Sequence, residues 1–174
     1  MAAINYLTDE LLPPVLVRKI VDTIQRQCYG YAEYRQKLSS LIYEPYMNTR
    51  AQYSLTGTVL SGFAPDRFFM DGVQVNDLNY GLSNYQKCQP ELITDNAVIQ
   101  IYSSSAKPLK NKIVMERCKY LNSNNSAKRF LFIQFEVDKK ETLTRVTAVY
   151  PDKDAARIEK KELYVRSNVS ALAG

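Results

Sequence analysis

Seven cations stand between Lys107 and Arg129, against Glu116 alone: Lys107, Lys110, Lys112, Arg117, Lys119, Lys128 and Arg129. Clustered Lys and Arg neutralise phosphates, so this density suits a nucleic-acid backbone or another anionic partner. Tyr102 and Tyr120 lie close by in sequence, and such rings stack on unpaired bases. The loops Ser103–Ser105 and Asn122–Ser126 add hydrogen-bond donors. Those seven cations and two tyrosines are the candidate nucleic-acid-binding residues. No RRM, KH or zinc-finger signature accompanies them.

The rest of the chain does not share this charge. Residues 1–87 hold eight basic and eight acidic side chains, and the remainder holds 15 and 10, so the whole net charge of +5 lies in the C-terminal half.

Other chemistries have fewer materials. The chain has no histidine. That excludes Ser–His and Cys–His nucleophile pairs, His metal ligands and His acid–base work within it. Cys28, Cys88 and Cys118 are odd in number and far apart, which argues against a disulfide framework and a zinc knuckle. No glycine-rich phosphate loop is present, and no cofactor is expected.

A restriction-type nuclease centre needs an Asp ending one strand, then an acid and a Lys one position apart on the next, to hold Mg²⁺ and a water. Asp152 with Glu159 and Lys161 has those letters, as does Asp66 with Asp138 and Lys140. Only six residues separate Asp152 from Glu159, and Asp138–Lys140 falls in a turn. The nuclease reading therefore ranks third.

Tyrosine carries the alternative. There are 13 tyrosines and no tryptophan, and Tyr29, Tyr31, Tyr34, Tyr43, Tyr46 and Tyr53 crowd one region. Tyr offers large contact area with a polar tip and is common at interfaces. Tyr29, Tyr31, Tyr34, Tyr43 and Tyr46 are the candidate protein-interaction residues. They suit an inhibitor or adaptor of the kind small phage and mobile elements encode.

These residues need elements to hold them. Leu131, Ile133, Phe135 and Val137 sit two apart on one face, with Gln134 and Glu136 on the other, which predicts a strand over 129–137. Asp138–Glu141 is a polar break of hairpin length, and a second strand follows over 142–150. Ala97–Tyr102 is apolar on both faces and reads as a central strand. Residues 51–60 alternate loosely and read as a further strand. The irregular segment from Ala64 to Pro90 reads as an ordered excursion with short strands, and Leu163–Val165 as a last short one.

Leu16, Val17, Ile20, Val21, Ile24 and Cys28 share one helical arc. Gly30 should end or kink that helix, and Tyr31, Tyr34, Leu38 and Leu41 suggest a second. A DNA-binding helix-turn-helix is disfavoured, because the second helix carries only Arg35 and Lys37. Pro108–Asn122 reads as a basic helix. Its Lys110 and Arg117 sit between two apolar arcs, where they must snorkel or meet an anion.

The expected fold is α+β: an N-terminal helical pair packed on a mainly antiparallel sheet, with one further helix crossing it. One domain covers 1–174, with a helical part over 1–44, a sheet-containing part over 50–166 and a tail over 167–174. No apolar run approaches the roughly 18 residues of a membrane helix. The first residues lack a signal-peptide pattern, so a cytoplasmic location is expected. The expected function is non-enzymatic binding, with nucleic acid first and a protein partner second.

Overall fold

Leu16, Ile20, Val21, Ile24 and Cys28 are all buried along one face of α1 (Pro14–Ser39). This is the first helix of a computed structural model that describes residues 5–39, 54–80, 87–123 and 126–167. The predicted helical pair is replaced here by one unbroken helix of 26 residues. Gly30 is exposed, and a Cβ built on it would meet nothing within 4 Å. A mid-helix glycine costs about 1 kcal/mol relative to alanine, too little to break a helix anchored on both sides. Cys28 and Tyr31 are buried on either side of it, the Tyr29 hydroxyl donates to Glu33 at 3.2 Å, and Arg35 donates to the Tyr31 hydroxyl at 3.3 Å. With no turn at Gly30, a helix-turn-helix has no hinge there. Leu41 and the predicted end near Ile42 lie outside the described residues.

The strand predicted over 51–60 is instead a short helix, α2 (Leu55–Ser61), as far as the described residues reach. Ser54 is its N-cap, and its hydroxyl accepts from the Gly57 amide at 3.0 Å. Val59 is fully buried, and Gln27 of α1 donates to the Thr58 carbonyl at 2.7 Å. The cap and this docking outweigh the loose alternation that suggested a strand.

Among the described residues, six strands form one mixed sheet: β1 (Gln74–Tyr80), β2 (Lys87–Ile93), β3 (Ala97–Ser103), β4 (Arg129–Val137), β5 (Leu143–Pro151) and β6 (Ile158–Val165). Their spatial order is their chain order. Four neighbouring pairs are antiparallel, and β3 and β4 run parallel. The predicted hairpin is β4–β5. Asp138 closes its turn by accepting from the amides of Lys140 (2.8 Å) and Thr142 (3.0 Å), while Arg166 pairs with its other oxygen at 3.1 Å. Those amides, Thr142 first, and Arg166 hold the Asp138 carboxyl below its usual range despite some desolvation. Glu141 takes φ +62° to complete the reversal.

The parallel step needs a crossover. It is made by a 3₁₀ turn (Pro108–Lys110) and α3 (Lys112–Leu121). The single helix predicted over 108–122 is thus divided. Asn111 is extended and caps α3 by accepting from the Ile113 amide at 2.9 Å.

The two-residue period of the strands sorts two cores. Ile99, Ile101, Leu131, Ile133, Phe135, Val146 and Ala148 face α1 and α2. Val98, Phe130, Phe132 and Val149 face Val114, Cys118 and Leu121 of α3. No helix among the described residues is long and apolar enough to cross a membrane.

An unbroken α1 makes Gly30→Ala stabilising, by about 0.5–1 kcal/mol in chemical denaturation. A loss of stability would instead mean that the chain bends at Gly30.

Candidate nucleic-acid interface

The crossover sets where the cations go. Val114, Cys118 and Leu121 fix the inner face of α3, so Lys112, Glu116, Lys119 and Tyr120 fall outside and are exposed. Lys107 and Lys110 are exposed on the preceding turn. The Tyr120 ring is 76% exposed and Ile113, seven residues earlier, is 36% exposed, so one stripe of α3 shows apolar groups to solvent.

The other predicted cations are committed elsewhere. Arg117 was expected to face a phosphate or carboxylate. The carboxylate is the protein's own: its Nη2 donates to Glu91 Oε1 of β2 at 2.9 Å. Lys128 donates to the Thr94 carbonyl. Arg129 donates to the Ser123 carbonyl at 2.6 Å, and its guanidinium lies 5.9 Å from the Tyr6 ring centre. These cations hold loops and the N-terminal segment onto the sheet. Tyr102 packs edge-on against Phe132 at 5.9 Å and is half-buried, so its ring belongs to the core.

Arg117 enters a network that sequence reasoning missed. Glu91 is 2% exposed and Gln100 of β3 is fully buried opposite it. Gln100 donates to Glu91 Oε2 at 2.7 Å, and the Tyr102 hydroxyl donates to Gln100 Oε1 at 2.5 Å. Each oxygen of the buried carboxylate therefore has a donor, one of them cationic. Half of the signal was present in sequence: Gln100 interrupts the apolar run of β3, and buried polar groups must find partners, whereas Glu91 stands among the polar residues of β2.

Glu91, Gln100 and Tyr102 occupy adjacent strands in the places where the nuclease pattern wants acid, acid and lysine. Amide and phenol stand where an acid and a lysine would hold a cation, and Arg117 supplies the positive charge. Most side chains of the sets proposed from sequence are engaged in other contacts. Asp152 accepts from the Ala156 amide at 2.8 Å, Glu159 accepts from the Tyr6 and Leu7 amides at 2.9 Å each, and Lys161 lies 3.9 Å from Asp9. Asp66 is exposed in a turn, and Asp138 closes the hairpin. No three His, Cys, Asp or Glu side chains converge among the described residues.

An open cleft of about 280 Å³ lies beside the Ser104 loop over β4–β6. Its charges alternate in sign, with Arg145 3.5 Å from Glu162, so it is no second basic site.

The tyrosines divide. Tyr29 (67% exposed) and Tyr34 (45%) face outward on α1, whereas Tyr31 is buried. Tyr31 follows Ile24 and Cys28 at helical spacing and belongs to the core, which removes it from any interaction surface. Tyr43 and Tyr46 lie outside the described residues. Burial, with a smaller contribution from Glu141, pushes the Cys28 thiol from 9.0 up to about 11, and burial pushes Cys118 likewise to about 11. Neither is a nucleophile at neutral pH.

Comparison of the chain with family models, with curated proteins and with solved structures finds no match to any of them.

Arg117→Met strands a buried carboxylate and should cost about 3 kcal/mol in urea denaturation, with Glu91→Gln restoring part of the loss in the double variant. A loss below about 1 kcal/mol would show that water replaces the guanidinium. The raised thiols give a second expectation. Above pH 9 the unfolded chain releases protons that the folded chain keeps, so stability should fall between about pH 9 and about pH 11, by about 2 kcal/mol per thiol. Cys28→Ala/Cys118→Ala should flatten that decline, and an unchanged slope would assign it to other groups.

Proposed function

We propose that this is a cytoplasmic, non-enzymatic protein that binds the phosphate backbone of nucleic acid through α3 and the turn before it. The reading rests on one observation. Lys107, Lys110, Lys112 and Lys119 face solvent on a single crossover, while the neighbouring Arg117, Lys128 and Arg129 are taken up by the protein itself. Exposed lysines on a rigid, docked helix give backbone affinity without base readout. Glu116 is the opposing charge within α3, so the turn and helix together are cationic.

Protein binding is the alternative, supported by Tyr29 and Tyr34 on the outer side of α1. It expects substitutions in α3 to leave partner capture intact.

The reading is tested on an oligonucleotide column with Lys110→Glu/Lys112→Glu/Lys119→Glu. Wild type should be retained at moderate salt and the variant should pass through. The logarithm of wild-type affinity should fall by about 3 per tenfold rise in salt, the slope expected of roughly four phosphate contacts. Equal retention of the two proteins removes the reading.

A further inference from the structure

We infer that the polymer seated on α3 is a single strand, with Tyr120 as the platform on which an unpaired base stacks. The inference rests on the phosphate-binding reading above and adds what the helix face selects. A helix that reads duplex DNA projects side chains able to bond base edges in the major groove, chiefly Arg, Lys, Asn and Gln. On α3 the Arg and Asn side chains are occupied, which leaves lysines beside an exposed ring. The Arg117 guanidinium is bonded to Glu91 at 2.9 Å, the Asn111 side chain caps the helix at 2.9 Å, and Asn122 is buried. Asn122 accepts from the Phe130 amide and donates to the Phe130 and Pro151 carbonyls.

What α3 does present is a different set. Tyr120 is 76% exposed and Ile113 is 36% exposed on the same stripe, with Lys112 and Lys119 one residue before each. Apolar surface of this kind gains nothing against a duplex, whose bases are already stacked. An unstacked base covers it, while the adjacent lysine meets the phosphate beside that base. Charge complementarity and ring exposure thus select the same occupant. The span from Lys107 to Tyr120 is covered by one short turn and one helix, so a short oligomer is enough to engage it.

The test is fluorescence anisotropy with the full chain, using labelled oligothymidylate and a duplex of equal length at the same salt. Wild type should bind the single strand more tightly than the duplex. Tyr120→Ala should weaken single-strand binding roughly tenfold or more and leave duplex binding unchanged, whereas Tyr120→Phe should keep it, because stacking needs the ring and not the hydroxyl. The side chain is exposed, so circular dichroism of all three proteins should coincide. Equal affinity for single strand and duplex, or no effect of Tyr120→Ala, overturns this inference and leaves phosphate binding standing. Absence of binding to either probe overturns both.

Discussion

The parallel step between β3 and β4 constrains everything around it. A hairpin cannot join parallel neighbours, so the chain leaving Ser103 must return outside the sheet before it re-enters at Arg129. That return is the 3₁₀ turn and α3. Its apolar side is consumed in covering Phe130, Phe132 and Val149, and its remaining side carries lysines. The cations are displayed because they ride on a crossover, and the crossover exists because two strands run the same way. The opposite face of the sheet is closed by α1 and α2, so the two faces differ in kind: one carries a thick apolar layer and the other a single helix with charge outside.

Arg117 qualifies that picture. A carboxylate as buried as Glu91 is tolerated only with a compensating charge and bonds to both oxygens. The helix supplies the charge and Gln100 supplies the second bond. The pair ties α3 to β2, and the two charges cancel, so positive potential is left to the lysines of the crossover. The same economy recurs below the sheet. Arg129 braces the Ser123 carbonyl and the Tyr6 ring, Tyr6 stacks on Tyr150 at 4.5 Å, and Glu159 grips the Tyr6 and Leu7 amides. Charged groups that looked like surface chemistry in sequence are the fastenings of the N-terminal segment.

What could be read in advance had local causes. Ile133, Phe135 and Val137 alternate with Gln134 and Glu136 because the second half of β4 has one less buried face, whereas Phe130–Ile133 and Ala97–Ile101 do not alternate because both faces are buried there. Asp138 marked the turn. Tyr31 was legible too: it continues the Ile24–Cys28 stripe, but grouping tyrosines by number hid their phase. Other features needed information that spacing does not carry. α2 resembles a strand until Ser54 is seen to cap it, and Gly30 resembles a stop until the packing on both sides is counted. Glu91, the partner of Arg117, is 26 residues away and reaches it only through the register of β2 on β3 and the docking of α3. The candidate site was legible as a list of cations. Which of them remain available to a ligand was decided by the tertiary structure.

The proposed contact surface comprises Lys107, Lys110, Lys112 and Lys119 and excludes the remaining lysines. Lysine footprinting tests it directly, by acylating the protein with and without single-stranded oligonucleotide and reading each site by mass spectrometry. Those four positions should be selectively protected, with Lys139, Lys140 and Lys153 modified equally in both samples. Uniform protection of all lysines, or protection centred away from α3, would contradict it.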